Sequence, residues 1–181
     1  MFYLLENSDE SLWKTLMSNL SLPKSSYFFT LIFVISIFLI DRISKVMIIK
    51  KSKELGDGEI FSSKFINFEL IWNKGIAFGL FSLNDGLAYN LISTLIMIIV
   101  LILIYFVFRS KNYEKFGFIL ISGGAIGNLF DRIIYKAVPD FIDLHINNFH
   151  WFIFNIADIF ITLGVFWLIL VELFKKKDET N

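Results

Sequence analysis

The sequence predicts a membrane-embedded, all-α protein with four transmembrane helices, and two observations support this. Hydrophobic residues make up 56% of the 181 residues and the mean hydropathy is +0.66, above ordinary soluble usage. Four apolar stretches, each roughly 20 residues long and so able to span a bilayer core, occupy residues 27–49, 87–108, 116–135 and 151–174. Four spans return the chain to its starting side, so both termini are expected on one side of the membrane.

Composition also narrows the class of function. The formal net charge is zero, which argues against a nucleic-acid-binding surface. The chain has no cysteine, which excludes disulfides, thiolate catalysis and cysteine-based zinc sites. The length allows one membrane domain, residues 27–174, with a short extension at each end.

The basic residues suggest how the chain is oriented. Short basic clusters follow the second span and the fourth, where the sequence has Arg109, Lys111 and Lys115, then Lys175, Lys176 and Lys177. Lys and Arg in short loops favour the cytoplasmic side. The longer stretch between the first two spans mixes both signs of charge and counts for less. We therefore expect both termini, including the tail 175–181, to be cytoplasmic.

The N-terminal extension, residues 1–26, has an apolar stripe. Leu12, Leu16 and Leu20 recur on one helical face, and Pro23 follows. The pattern is typical of a short amphipathic helix lying in the membrane interface. A poorly ordered tail is an equally good interpretation.

The stretch after the first span predicts a small extracytoplasmic β-element over about residues 58–82. Within it, Ile66, Phe68, Leu70 and Trp72 occupy alternate positions. Alternation over that length is typical of a half-buried strand, predicted here over 65–72. Asn73-Lys74-Gly75 then supplies a turn.

Polar residues inside membrane spans are costly, so their presence is a functional hypothesis by default. The predicted spans contain such residues near their outer ends: Asp41, Lys45, Asn128, Asp131, Arg132, Asn155 and Asp158. Helical spacing places those of each span on one face. A span beginning at Trp151 would set Asp158 about 10 Å below the membrane surface.

Several of these residues have simpler structural interpretations. Asp41 with Lys45, and Asp131 with Arg132, could equally be ion pairs that hold helices together. We expect Asp131 to pair with a cation or amide and to take no part in chemistry. The glycines of the third span, Gly123, Gly124 and Gly127, are typical of close helix packing.

We expect no metal and no cofactor. The two histidines, His145 and His150, have no ligand-like spacing to each other or to a carboxylate in the sequence.

Asp158 is the hardest of these residues to explain structurally, because no cation lies within a helical turn of it. A second carboxylate close by would let the pair share one proton and activate a water molecule, as in aspartic proteases. Asp140 is a candidate partner and Asp143 is its competitor; spacing does not choose between them. Intramembrane carboxylates also serve small transporters and proton relays, and a non-catalytic lipid-binding protein is a third hypothesis.

Five sequence elements, in order, resemble those of one known family, bacterial lipoprotein signal peptidase (signal peptidase II). Asp41–Lys45 resembles its D-x-x-x-K element, and Asn73–Phe78 resembles N-x-G-x-A-F. Gly123–Arg132 resembles G-G-x-x-G-N-x-x-D-R. Val138–Asp143 resembles V-x-D-F-I-D, and Phe154–Asp158 resembles F-N-x-A-D.

The resemblance implies an aspartic endopeptidase of the bacterial inner membrane with its active site toward the outer face. It implies diacylglyceryl-modified prolipoproteins as substrates, cut before the lipidated cysteine, and inhibition by cyclic peptides such as globomycin. Asp140 and Asp158 match the catalytic residues. The matching positions that would bind substrate or support the site are Asp41, Lys45, Asn73, Gly75, Asn128, Asp131, Arg132 and Asn155. We expect a monomer in contact with membrane lipid.

Overall fold

The computed structural model describes residues 24–56, 58–75 and 86–178. The N-terminal amphipathic segment up to residue 23 and part 76–82 of the predicted β-element lie outside these ranges. The chain divides into two compact units, Met1–Ile32 and Phe33–Asn181. The described part of the first unit is helical, with the rings of Phe28 and Phe29 edge to face. All other contacts reported below lie within the second unit.

The described residues form four long helices: α1 (Lys24–Glu54), α2 (Gly86–Arg109), α3 (Asn112–Tyr135) and α4 (Ile156–Asp178). Three of them contain segments long and apolar enough to cross a membrane, namely Tyr89–Arg109, Tyr113–Tyr135 and Ile156–Phe174. The predicted first span, residues 27–49, lies inside α1. The predicted four-helix membrane fold is confirmed.

A four-stranded antiparallel sheet accompanies the helices, in the order β1 (Phe61–Ser62), β2 (Ile66–Asn73), β3 (Val138–Ile146) and β4 (Phe149–Phe154). The predicted strand over 65–72 corresponds to β2. Strands β3 and β4 were not predicted. They connect through the two residues Asn147 and Asn148, since Ile146 pairs with Phe149 and Asn147 has the positive φ of 52° that tight hairpin turns require.

The last helix begins later and ends later than the predicted span. Trp151, the expected first residue, belongs to β4, and α4 starts at Ile156. Because only Asn155 and Asp158 interrupt the apolar residues where β4 passes into α4, hydropathy alone merges the two elements. At the other end, α4 continues into the expected tail as far as Asp178.

Helix α3 is the centre of the bundle. In α3, 56% of the membrane-length segment is buried, whereas 11% of the corresponding segment is buried in α2 and in α4. Glycine makes this packing possible: a Cβ built at Gly124 would lie 2.4 Å from the carbonyl oxygen of Ala157 in α4, and one at Gly127 would lie 2.5 Å from Oδ2 of Asp41. Helices α3 and α4 therefore approach backbone to backbone.

We predict that Gly124→Ala lowers the apparent midpoint of thermal unfolding in detergent. The intrinsic gain in helix propensity, about 1 kcal/mol, is opposed by an overpacking cost of about 1–3 kcal/mol, since the clash is with backbone. Gly86→Ala is the matched control, because its Cβ would meet no described atom within 4 Å. Equal midpoints for the two variants would contradict close α3–α4 packing.

Candidate active site

Two carboxylates from distant parts of the sequence meet in one cavity. Asp140 and Asp158 both line a cavity of about 560 Å³. The other polar side chains of its wall are Asn73, Asn128, Arg132, Asn155 and Thr162. The rest of the wall is apolar and comes from α2, α3 and α4 together with Val138. One end of the cavity is therefore polar and acidic, and the remainder is suited to an apolar ligand.

Asp158 is held in place by the start of α4. Asn155 precedes the helix, and its Oδ1 accepts a hydrogen bond from the backbone N–H of Asp158 at 3.2 Å. In return, Oδ2 of Asp158 accepts from the backbone N–H of Asn155 at 3.2 Å. This reciprocal arrangement is a capping box, which satisfies two otherwise unpaired helix N–H groups. Asp158 thus lies in the first turn of α4, not two turns below its start as the earlier span boundary implied.

Asp140 lies on β3, and strand geometry decides which carboxylate faces Asp158. Successive side chains of a strand point to opposite faces of the sheet. Asp140 and Asp143, three residues apart, therefore face opposite ways. Asp140 lines the cavity, while Asp143 pairs with His150 on the other face. Of the two candidate partners that sequence spacing left open, Asp140 is the one that lines the cavity with Asp158.

Both oxygens of Asp140 accept hydrogen bonds from amides. Asn155 Nδ2 donates to Oδ1 at 2.7 Å, and Asn73 Nδ2 donates to Oδ2 at 2.8 Å. Burial and then the charge of Asp158 raise the pKa of Asp140 to about 6, against the lowering effect of the two amide hydrogen bonds. A carboxyl group with this pKa exchanges a proton near neutral pH.

Asn128 joins Asp158 to a buried ionic cluster. Its Nδ2 donates to Oδ1 of Asp158 at 2.8 Å, and its Oδ1 accepts from Nζ of Lys45 at 2.8 Å. Lys45 is fully buried, and its ammonium also donates to Asp41 at 2.8 Å and to Asp131 at 2.7 Å. All three donors of the ammonium group are used.

Asp41 and Asp131 each have a second partner. Oδ1 of Asp41 accepts from the backbone N–H of Ala157 at 2.9 Å, which satisfies another N–H group in the first turn of α4. Asp131 also pairs with Arg42, whose guanidinium lies over the rings of Phe130 and Tyr135. Asp131 therefore contacts two cations of α1, and Arg132, its expected partner in the sequence, points elsewhere.

Arg132 instead holds the turn after β2. Its Nη2 donates to the carbonyl oxygen of Gly75 at 2.9 Å, and its Nη1 donates to that of Asn128 at 3.2 Å. The N–H of Gly75 donates to Oδ1 of Asn73 at 2.8 Å. Asn73 is thereby fixed with its NH₂ group toward Asp140.

Every residue that the sequence singled out for the site is thus part of one connected network. Sequence reasoning missed three features of it. Arg42 was not singled out, although it follows Asp41 directly. The capping box was not recognised, although Asn155 and Asp158 have the required spacing. The pairing of the two histidines was not foreseen, although Asn147-Asn148 between apolar runs is a hairpin signal.

The family model and the most similar relatives indicate the same protein family. The family model described as signal peptidase (SPase) II matches residues 33–174. The lipoprotein signal peptidase of Pelagibacter ubique is 49% identical over 156 residues, which is 86% of this chain and 94% of the relative. That of Francisella tularensis is 40% identical over 164 residues, covering 88% of this chain and 98% of the relative.

Two solved structures share the fold, both of bacterial membrane enzymes obtained by the in meso method, at 2.3 Å and 1.9 Å resolution. The first has a TM-score of 0.67 at 25% identity and covers 84% of this chain and 91% of the other. The second has a TM-score of 0.65 at 28% identity, with coverage of 80% and 92%.

These similarities favour a protease and not the alternative of a small transporter or proton relay. The chain belongs to the signal peptidase II family, the membrane proteases that remove signal peptides from prolipoproteins.

Proposed function

We propose that Asp140 and Asp158 are the catalytic pair of this signal peptidase and act together on one water molecule. The observation that carries the proposal is their shared cavity. The two carboxylates come from a strand and from a helix start, and Asn155 hydrogen-bonds with both. The charge of Asp158 raises the pKa of Asp140, so ionising both carboxylates of the shared cavity is costly and the pair retains one proton.

The shared proton allows acid and base to act in one step. The ionised carboxylate takes a proton from water as the water oxygen attacks the scissile carbonyl carbon. The protonated carboxyl gives its proton to the carbonyl oxygen. When the resulting tetrahedral diol collapses, the C–N bond breaks and the protonated carboxyl gives its proton to the departing amine of the following cysteine. The ionised carboxylate takes a proton from one diol hydroxyl, so the pair again holds one proton. The signal peptide departs as a carboxylic acid.

The surrounding residues position this pair. Asn73, Asn128 and Asn155 each donate an amide hydrogen bond to a catalytic oxygen, which fixes the orientation of both carboxylates. Arg132 and Gly75 shape the turn that carries Asn73. A second set supports the fold next to the site without contacting the reacting atoms: Asp41, Lys45 and Asp131.

The apolar part of the cavity suits the substrate. A diacylglyceryl-modified cysteine next to a hydrophobic signal segment presents acyl chains and an apolar helix beside one scissile bond. The cavity has the matching division, with carboxylates at one end and residues such as Ile99, Val100 and Ile169 along the rest. Globomycin would compete for this space. The protein would act as a monomer within membrane lipid.

The proposed setting is the bacterial inner membrane, with both termini cytoplasmic and the active site toward the outer face. The sheet lies at the end of the helices that carries the carboxylate pair, where β4 leads into α4. The basic ends of α2 and α4 lie at the opposite end of those helices, as the positive-inside rule requires of a cytoplasmic side.

We predict that Asp140→Asn and Asp158→Asn each lower cleavage of a diacylglyceryl-modified prolipoprotein by on the order of 10⁴-fold, the size of loss seen when one member of a catalytic unit is removed. The double variant should be no worse than either single one, because the two residues act together. The measurement is turnover per folded molecule by gel-shift assay.

Glu69→Gln is the control for this experiment, since Glu69 is an exposed carboxylate of the same sheet. It should cleave at the parental rate. Near-normal turnover by either catalytic variant would contradict the assignment. So would a protein inactivated by Asp143→Asn and not by Asp140→Asn.

We further predict that Asn73→Ala moves the alkaline limb of the pH–rate profile to higher pH. The amide hydrogen bond from Asn73 favours the ionised form of Asp140, so its loss raises the pKa of that carboxyl above the present value of about 6. The pair then keeps its last proton to a higher pH, and cleavage persists further into the alkaline range. The profile of kcat against pH measures the shift.

Asn67→Ala is the matched control. Asn67 lies on the same strand, but its side chain accepts from Ser62 and its backbone pairs with Asp143. Its alkaline limb should coincide with that of the parent. A downward shift in Asn73→Ala, or an equal shift in both variants, would show that the Asn73 amide does not tune the pair.

A further inference from the structure

A second cluster of polar side chains lies on the face of the sheet opposite the carboxylate pair. It consists of Asp143 and His145 on β3 and His150 on β4. Nδ1 of His150 is 2.7 Å from Oδ2 of Asp143, and Nδ1 of His145 is 4.0 Å from the same oxygen. One potential ligand atom from each residue lies within 4.8 Å of the others.

The hairpin brings these residues together although their sequence spacing hides it. His145 and His150 are directly paired across β3 and β4, and their rings stack with centroids 5.1 Å apart. Asp143, two residues before His145, points to the same face. The register shifts beside the cluster: Asp143 pairs with Ile153, so β4 has one more residue than β3 in this interval. Such bulges re-aim side chains and are frequent beside functional sites.

Two buried polar atoms of the cluster have no hydrogen-bond partner among the described residues. They are Oδ1 of Asp143 and Nδ1 of His145. Asp143 is 5% exposed and His145 is 9% exposed, so water does not replace the missing partners freely. Buried polar atoms in native proteins are almost always satisfied, and an exception calls for a bound ion or water. The pair His150–Asp143 alone would not explain why a second imidazole is buried beside the same carboxylate.

We propose that Asp143, His145 and His150 form a binding site for a divalent transition-metal ion of the zinc class. Two imidazoles and one carboxylate are a donor set that suits Zn²⁺ and does not suit Mg²⁺, which prefers oxygen ligands. The side chain of His150 is 52% exposed, so it can rotate to bring its nitrogen to the metal and leave a fourth position for water. Asp143 would use Oδ2, the carboxylate oxygen that lies near both rings, or the unpartnered Oδ1.

The ion would act on structure and not on cleavage. It would join β3 to β4, the hairpin that connects Asp140 to Asn155 in the chain. Because the cluster and the carboxylate pair lie on opposite faces of β3, the ion would not contact the reacting atoms. The proposed metal site is therefore independent of the catalytic assignment.

The test is calorimetric titration of the purified full chain in detergent, with any polyhistidine tag removed, using Zn²⁺ as the probe and Mg²⁺ as the metal control. We expect one Zn²⁺ per chain and a higher midpoint of thermal unfolding, as for any ligand specific to the folded state. Mg²⁺ should do neither. His145→Gln and His150→Gln should each weaken Zn²⁺ binding at least about tenfold, the lower end of the loss known even for outer partners of a metal.

Two variants locate the ion. Asp158→Asn should bind Zn²⁺ as the parent does, which separates this cluster from the carboxylate pair, and Glu69→Gln should also bind normally. Anomalous scattering from a zinc-loaded crystal of the parent gives the position even where a histidine variant fails to fold. Absence of saturable Zn²⁺ binding, binding unchanged in both histidine variants, or an anomalous peak elsewhere would overturn the proposal.

Discussion

A single buried ammonium group organises the polar interior of this membrane protein. Lys45 donates to Asp41, Asn128 and Asp131 at 2.7–2.8 Å, and none of its side chain is exposed. A charge at membrane depth is costly unless it is paired. Arg42 pairs with Asp131 as well, so two cations balance two carboxylates and the cluster is neutral. These buried ion pairs join helix α1 to helix α3. Removing one partner would leave its counter-ion buried without compensation, which is strongly destabilising.

The same ammonium also orients Asp158, one of the two carboxylates that we propose to be catalytic. Because Oδ1 of Asn128 accepts from Lys45, its NH₂ group must point the other way, toward Asp158. Asp41, held by the ammonium, accepts from the backbone N–H of Ala157, the residue before Asp158, and so anchors the first turn of α4. The anchored first turn of α4 and the oriented amide of Asn128 together position the carboxylate of Asp158. Strand β3 brings the carboxylate of Asp140 into the same cavity.

The sequence was sufficient to predict that the four helices and β2 exist, since long apolar runs and alternating apolar residues are strong local signals, but it misplaced the start of α4. It was insufficient for β3 and β4, because the apolar residues of β4 run directly into those of α4 and only Asn155 separates them. The choice between Asp140 and Asp143 needs the alternation of a strand that was not predicted. The contact between His145 and His150 likewise could not be predicted from their spacing along the chain. It depends on the cross-strand register of the β3–β4 hairpin.

We expect the network anchored on Lys45 to set the geometry of the proposed active site, and activity and stability measurements on Lys45→Met examine this dependence. Methionine fills similar volume and leaves Asp41, Asn128 and Asp131 without their donor. We expect destabilisation of about 3–5 kcal/mol, together with a fall in kcat per folded molecule that exceeds any change in KM, since Asp158 loses its orientation. Lys51→Met is the control, because the exposed pair of Lys51 and Glu54 contributes little. We expect the loss of stability and of kcat in Lys45→Met alone. Parental stability and kcat in Lys45→Met would show that the ammonium does not organise the site.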